Sequence, residues 1–150
     1  GFGYETKTRS GGRALRFYAN LEIWTSVGKR IKKMVRGKPR TIGVRCLAEV
    51  RKNRVTGKVG KDRQVEIPIY YDLGIDDVGS CVQFLVDEKH WKVVKGTIHA
   101  TELSLEGTKQ AVIRQIEEGN LEGRVKELTA SVWKQIESES APTNRKSRYV

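Results

Sequence analysis

Two adjacent glycines among cations form the part of this chain best suited to contact a phosphate. Gly11 and Gly12 are next to each other, and glycine lets backbone N–H groups approach a phosphodiester closely. Lys7, Arg9 and Arg13 surround the pair and supply positive charge. These residue types favour a backbone and cation contact with a phosphate chain. An ordinary Gly-Gly turn is the alternative interpretation.

A second candidate phosphate contact lies at Lys52 and Arg54, on either side of Asn53. Residues two positions apart at a strand end can point the same way, so two cations could grip one phosphate. A solvated basic hairpin is the alternative.

The glycine pair leads into a stretch of alternating apolar residues. Leu15, Phe17, Ala19, Leu21 and Ile23 recur at every second position. This alternation predicts a strand over residues 15–24 with one buried face. The other face would carry polar or amphipathic side chains, namely Arg16, Tyr18, Asn20, Glu22 and Trp24. Phe17 would then face either the core or an adjoining subunit.

Residues 25–40 form a basic segment without a single acid. Its cations are Lys29, Arg30, Lys32, Lys33, Arg36, Lys38 and Arg40. Ile31, Met34 and Val35 have a partial helical spacing, which Gly37 to Pro39 would end. An electrostatic contact with nucleic acid is one interpretation. The other is a solvated, irregular connection between two strands.

Two further strands are predicted, with turns between them. Period-two alternation covers residues 41–52 and would bury Ile42, Val44, Cys46, Ala48 and Val50. Residues 52–62 are rich in turn formers, and a strand follows over 63–70. Pro68 cannot donate to a ladder and predicts an edge strand or a bulge. Three strands so close in sequence suggest antiparallel pairing.

From Gly74 onward the pattern becomes helical, so we predict a domain boundary near residue 73. Asp76 and Asp77 are expected to cap a helix rather than to catalyse. A hairpin is predicted over 89–100, anchored by Trp91, Val93 and Ile98, with its turn at Lys95 and Gly96. Two amphipathic helices would follow. The first covers 105–118, with Ala111, Val112, Gln115 and Ile116 inward, and Gly119 ends it. The second has a core stripe at Val125, Leu128, Val132, Trp133 and Ile136.

Composition narrows the class of partner. The chain has 150 residues and a formal net charge of +11, which favours a polyanion, although a merely soluble basic protein is the alternative. Cys46 and Cys81 are interpreted as reduced core residues of a cytosolic protein. His90 and His99 lack partner ligands at metal spacing, so no metal site is predicted. No apolar run reaches 18 residues, and no contact with a membrane is expected.

Three segments resemble the RecA family of DNA strand-exchange recombinases. In that family a DNA-binding loop ends in Gly-Gly, followed by A-L-[KR]-F-Y-A, and here residues 11–19 have GGRALRFYA. The second segment is VRKNRV at 50–55, and the third is EIPIYYDLGIDDVGSCVQFLV at 66–86. Their order and spacing also fit, and the resemblance covers residues 2–139.

The resemblance implies an α/β fold, in which C-terminal strands of a RecA-like ATPase core sheet precede a small α+β C-terminal domain. Residues 1–72 would be the core part, 73–139 the C-terminal domain, and 140–150 a disordered tail. That tail is basic, whereas the family's tail is typically acidic. The function implied is ATP-dependent recombination in the cytoplasm, with filaments formed on single-stranded DNA and strand exchange with double-stranded DNA.

The resemblance also implies roles for individual residues. Phe17 would lie at the subunit interface, and Lys52 and Arg54 would reach the γ-phosphate of ATP, held with Mg²⁺, on the neighbouring subunit. The end of the DNA-binding loop would comprise Lys7, Thr8, Arg9, Gly11, Gly12 and Arg13.

One element of the family is missing from the sequence. The pattern G-x-x-x-x-G-K-[ST] does not occur, and Gly57 to Asp62 has the wrong spacing and no Ser or Thr. We therefore expect the phosphate-binding loop in a preceding part of the protein, and no ATP hydrolysis by this chain alone. A free-standing basic nucleic-acid-binding module without an ATP role is the alternative, and a recombinase relative that has become regulatory is a third.

Overall fold

The computed structural model describes residues 12–141, apart from the side chains of Arg13 and Asp62. It is a mixed α/β structure with antiparallel sheets and several helices. The chain divides between Ile75 and Asp76 into two compact units. The boundary predicted from sequence lies near residue 73. Lys7, Thr8, Arg9, Gly11 and most of the predicted tail lie outside the described residues.

The first unit joins a short helix to a four-stranded sheet. Helix α1 spans Gly12–Tyr18, and the strands are β1 (Leu21–Val35), β2 (Lys38–Asn53), β3 (Gln64–Tyr70) and β4 (Gly74–Ile75). They lie in the order β1-β2-β3-β4, and each neighbouring pair is antiparallel. The antiparallel pairing expected from sequence is confirmed.

The predicted strand over residues 15–24 is wrong in its first half and wrong about the buried face. Residues 12–18 are helical, because Ala14, Leu15 and Arg16 are strong helix formers and five alternating positions do not exclude a helix. Within β1 the apolar Leu21 and Ile23 are about half exposed, whereas Glu22 is 3% exposed. The polar face of the strand therefore points inward at its start.

The basic segment is neither helical nor an irregular connection. β1 and β2 continue through it as one long hairpin that turns at Arg36 and Gly37. Both turn residues have positive φ, 51° and 71°, as a tight two-residue hairpin turn requires. This turn brings the two strands into register, and their pairing is favoured over the helix that the spacing of Ile31, Met34 and Val35 suggested.

β2 and β3 form the middle of the sheet. β3 pairs with β2 from Gly43 to Glu49, and Pro68 lies opposite Arg45. On its other side β3 pairs with β4 only at Ile69 and Tyr70, so within the described residues Pro68 faces an unpaired edge. β3 is therefore interior in the strand order, but the edge expected from Pro68 is present at that residue. Residues 41–50 are half-buried on both faces, apart from the buried Gly43, so the predicted single buried face is wrong.

The second unit packs three helices with a three-stranded sheet. The helices are α2 (Asp77–Asp87), α3 (Lys109–Glu118) and α4 (Glu122–Glu139). The strands, β5 (Lys92–Val94), β6 (Thr97–Ala100) and β7 (Leu105–Gly107), pair antiparallel in that order. The core of this unit consists of Val78, Val82, Leu85, Trp91, Ile98, Ala100, Val112, Ile116, Val125 and Val132.

Most local signals of the second unit are confirmed. Asp76 caps α2 by accepting a hydrogen bond from the Gly79 N–H at 2.7 Å. The turn between β5 and β6 is at Lys95 and Gly96, both with positive φ, and Gly119 ends α3. Trp91 and Ile98 are buried as predicted.

Four predictions for the second unit are wrong. The first amphipathic helix begins at Lys109 rather than residue 105, because Gly107 has a φ of 148° and Thr108 provides the N-cap. Residues 105–107 instead complete the sheet as β7. Val93, Gln115 and Trp133 are exposed rather than inward.

Candidate functional site

The C-terminal end of α1 contacts the end of β2 through Lys52. The Lys52 ammonium donates hydrogen bonds to the carbonyl oxygens of Arg16 and Phe17, the latter at 3.3 Å. A helix leaves its last carbonyls without intrahelical partners and carries partial negative charge there, so a cation stabilises it. Lys52 therefore anchors the helix that begins at the glycine pair.

Arg54 contacts the same helix end by two routes. Its backbone N–H donates to the Asn20 carbonyl oxygen at 2.8 Å. Its guanidinium lies 5.7 Å from the centre of the Phe17 ring, within range of a cation–π contact. Lys52 and Arg54 therefore converge on one place, as their two-residue spacing predicted. Their contact with a phosphate stays a prediction, with a solvated basic hairpin as the alternative.

The turn after β2 fixes this arrangement. The side-chain amide oxygen Oδ1 of Asn53 accepts hydrogen bonds from the N–H groups of Val55 and Thr56, at 3.0 and 3.1 Å. Its amide nitrogen donates to the Thr56 hydroxyl at 2.7 Å and to the Lys58 carbonyl at 3.2 Å. An Asn side chain that hydrogen-bonds the backbone of the residues after it is typical of a turn. Here this turn fixes the position of Arg54.

Phe17 lies at the surface of this unit. Its side chain is 68% exposed, and its ring packs edge-on against Tyr18 with 5.6 Å between the ring centres. Within the described residues Phe17 therefore does not pack in a core. Its predicted place at a subunit interface stays a prediction.

One buried carboxylate lies among these cations. Glu22 pairs with the Arg16 guanidinium, with 3.5 Å between Nε and Oε2, and accepts a hydrogen bond from the Trp24 indole. Arg51 lies over the Trp24 ring at 5.0 Å and pairs with Glu49 at 3.0 Å. Sequence reasoning placed Glu22 on a solvent face and missed it. Glu22 and Trp24 lie two residues apart on one strand and therefore share a face, which was the signal in the sequence that Glu22 could contact the indole.

We refer to Arg16, Glu22, Trp24, Arg51, Lys52 and Arg54 as the helix-end cluster. Four cations and one buried carboxylate belong to it. Partial removal of Lys52 from water, followed by the charge of Arg54, lowers the pKa of the Lys52 ammonium below its usual 10.5, and Glu22 opposes this effect. An anion beside Lys52 would favour its charged form. With four cations and one carboxylate, the cluster has a net positive charge.

The cluster has the donors that a phosphate needs. A lysine ammonium has three N–H donors, and two of those of Lys52 point at helix carbonyls. Arg54 adds a planar fork that can bind two phosphate oxygens at once. Both side chains could therefore donate to an anionic oxygen. Within residues 12–141 no group of three His, Cys, Asp or Glu side chains is placed to hold a metal.

The predicted loop contact can be followed only in part. Gly12 is the first residue of α1 and Arg13 the second. The remaining predicted loop residues lie outside the described part of the chain. The structure therefore relates Lys52 and Arg54 to the helix that follows the glycine pair, and not to the loop itself.

The second unit holds a smaller feature around Glu102. Its carboxylate accepts a hydrogen bond from the buried Trp91 indole at 2.9 Å and pairs with His90 at 2.7 Å. His99 pairs with Glu106 at 3.4 Å. A shallow pocket of about 290 Å³ beside Glu102 is lined by Leu103, Arg124, Glu127, Leu128 and Ser131. Within the described residues, these contacts hold the Trp91 indole and the two histidine rings in place.

Comparison with known proteins adds no relative. No family model matches the chain, and no curated protein matches it significantly. In the part of the chain that the structure describes, no helix has both the length and the apolar character needed to cross a membrane.

Proposed function

We propose that this chain is the C-terminal portion of a RecA-like, ATP-dependent recombinase that forms filaments on single-stranded DNA. Its work would be homologous pairing and strand exchange with double-stranded DNA in the cytoplasm. The observation that carries the proposal is the contact between Lys52 and the end of α1. It joins two of the segments that resemble the family, residues 11–19 and 50–55, although 30 residues separate them in sequence.

The contact suggests how the residues of this chain would couple ATP to DNA. Lys52 and Arg54 would hold the γ-phosphate of ATP bound with Mg²⁺ on the neighbouring subunit, and so stabilise charge in trans. Lys52 would then share its donors between the phosphate and the carbonyls of Arg16 and Phe17. Its hold on α1 would change, and α1 starts at the glycine pair that ends the predicted DNA-binding loop.

The burial of apolar residues gives independent support. In the described residues, all ten buried apolar side chains belong to the second unit. In the first unit, Leu21, Ile23 and Val65 are at least 50% exposed although they lie in strands. Apolar strands normally pack against another layer. A RecA-like core sheet completed by further elements would supply that layer.

The decisive experiment uses the complete protein and compares Lys52→Ala and Arg54→Ala with wild type. A charge donated in trans contributes roughly 10³-fold or more to turnover. DNA-dependent ATP hydrolysis should fall by about that factor, while nucleotide binding within one subunit should change little. Lys61→Ala, an exposed cation of the same unit, is the matched control and should keep full activity.

Mixing variants tests whether the contact is donated by a neighbour. A second variant, defective only in its own phosphate-binding loop, is combined with Lys52→Ala. Some interfaces of the mixed filament then pair an intact loop with intact cations, so activity should partly return. No recovery, with filaments still formed, would show that Lys52 and Arg54 do not act in trans.

A free-standing nucleic-acid-binding module remains the second candidate, favoured by the cations of the β1–β2 hairpin. It predicts DNA binding that is indifferent to Lys52→Ala and to ATP. The same ATPase and binding measurements therefore separate the two functions.

A further inference from the structure

The outer part of the β1–β2 hairpin projects beyond the rest of its sheet. β3 pairs with β2 only from Gly43 onward, so the ladder from Lys32–Thr41 to Val35–Lys38 has no third strand beside it in the described structure. At its base Arg30 and Ile31 pair with Val44 and Gly43, and the Ile42 carbonyl oxygen accepts a hydrogen bond from the Tyr71 N–H at 3.0 Å. We call residues 29–42 the basic arm. At about 3.3 Å per residue, its seven residues on β1 extend for about 23 Å.

Charge in the basic arm is of one sign. Seven of its fourteen residues are cations and none is acidic. All seven are exposed, and none makes an ion pair or a side-chain hydrogen bond with another described residue. They are Lys29, Arg30, Lys32, Lys33, Arg36, Lys38 and Arg40. This is about one positive charge for every 3 Å of arm.

Folding alone does not account for these charges. Lys33 lies directly opposite Arg40 in the ladder, and like charges in such a pair destabilise a sheet. The turn at Arg36 and Gly37 and the strand register would form without them. A polyanion bound to the arm would convert this repulsion into attraction.

The form of the arm selects among polyanions. Side chains alternate along a strand, so Lys33 and Arg40 project from one face of the ribbon and Lys32 from the other. A two-stranded ribbon fits the major groove of DNA, where phosphates line both walls. A single strand would engage one face and would gain from stacking on aromatic rings, and the arm has no aromatic residue.

We propose that the basic arm binds double-stranded DNA by entering the major groove and contacting phosphates on both sides, without reading the sequence. The basic arm shares no residue with the predicted glycine loop or with the helix-end cluster. The inference does not rest on the ATP role proposed above, and it would stand if that role failed.

The test is binding of fluorescent 20-base-pair DNA over a range of salt concentrations. The variant is Lys32→Gln, Lys33→Gln and Arg40→Gln together. The control, Lys61→Gln, Arg114→Gln and Lys134→Gln, removes the same charge from exposed positions outside the arm. Each lost phosphate contact should reduce the slope of log affinity against log salt by about 0.9. We expect the arm variant to lose about 3 from the slope and at least about tenfold in affinity.

Other outcomes decide against the proposal. Equal losses in the arm variant and the control would mean that net charge alone binds DNA. If the arm binds duplex RNA as tightly as duplex DNA, it does not enter the major groove, because the major groove of duplex RNA is too deep and narrow for it. Tighter arm-dependent binding of single-stranded DNA would exclude the duplex.

A charge-preserving variant guards against misfolding. Lys32→Arg, Lys33→Arg and Arg40→Lys together keep three cations in the same strands. This variant should bind DNA like wild type. If it also loses affinity, the arm acts through its shape or stability, and the proposed phosphate contacts are wrong.

Discussion

Replacing Glu22 by Gln should loosen the helix-end cluster more than any change at an exposed ion pair. Glu22 has a side chain that is 2% exposed, and it faces Arg16 at 3.5 Å. Glutamine keeps the shape and an oxygen that can accept the hydrogen bond of the Trp24 indole. The substitution therefore isolates the negative charge, which also opposes the lowering of the Lys52 pKa.

The size of the effect follows from distance and exposure. Two unit charges 3.5 Å apart attract by about 5 kcal/mol at an effective dielectric constant of 20. Arg16 is 68% exposed, so water screens much of this attraction, and holding the carboxylate away from water has its own cost. A net loss of about 1–3 kcal/mol remains, as is typical of a hydrogen bond to a charged group.

Amide hydrogen exchange measures this loss locally. A loss of about 1–3 kcal/mol corresponds to roughly 5- to 150-fold faster exchange in segments that open by local unfolding. Acceleration should appear over residues 14–24 and 48–56. Amides of α3 in the second unit provide the internal reference.

Glu49→Gln is the matched control for this prediction. Glu49 pairs with Arg51 at 3.0 Å, but its side chain is 29% exposed. An ion pair open to solvent contributes at most about 1 kcal/mol. If Glu22→Gln accelerates exchange no more than Glu49→Gln, the buried carboxylate does not hold the cluster together, and the electrostatic reasoning is refuted.

Two further predictions concern Glu102 and Gly43. Glu102→Ala removes the acceptor of the buried Trp91 indole and should cost about 1–3 kcal/mol in urea unfolding, whereas Glu102→Gln keeps an acceptor and should cost less. Burial raises the pKa of Glu102, but its own backbone N–H, the Trp91 indole and His90 together lower it below the ordinary 4.5. The ionised Glu102 therefore stabilises the fold above about pH 4.5, and this stabilisation is lost as the pH falls through the lowered pKa. In unfolding measured over a pH series, Glu102→Gln should lose less stability on acidification than wild type. Equal losses in the two proteins would contradict this prediction. Gly43→Ala would drive a Cβ into the Ile69 carbonyl oxygen and to 3.0 Å from the Tyr70 Cα, so unfolding should become easier by about 1–3 kcal/mol. Gly123→Ala, in α4 with no atom within 4 Å of the added Cβ, should instead stabilise by about 0.5–1 kcal/mol, and the reverse order would refute the packing argument.

Much of the second unit could be predicted from sequence because its signals are local. Asp76 before an apolar helical period defines the start of α2, and Gly119 defines the end of α3. Lys95 and Gly96 define a hairpin turn through their backbone preferences. Each of these signals acts over a few residues, so the rest of the chain was not needed to interpret it.

Only those features of the candidate site that depend on residue type and spacing could be predicted from the sequence. The sequence indicated that Lys52 and Arg54 lie together at a strand end, and in the structure they flank Asn53, the last residue of β2. It did not reveal that their nearest partners are the carbonyls of Arg16 and Phe17, some 35 residues earlier. Contacts between distant segments depend on strand register, which no short pattern encodes.

By itself, the sequence determined the excess of positive charge, the turn positions and the antiparallel order of the strands. Only the tertiary structure decided that residues 12–18 are helical, that the basic segment is a projecting hairpin, and that Glu22 is buried. The reason is physical: alternation gives two faces but does not say which one is covered. Which face is covered depends on the free energy of packing whole elements together. In β1 the inner face at Glu22 is stabilised by an ion pair and an indole hydrogen bond rather than by an apolar layer.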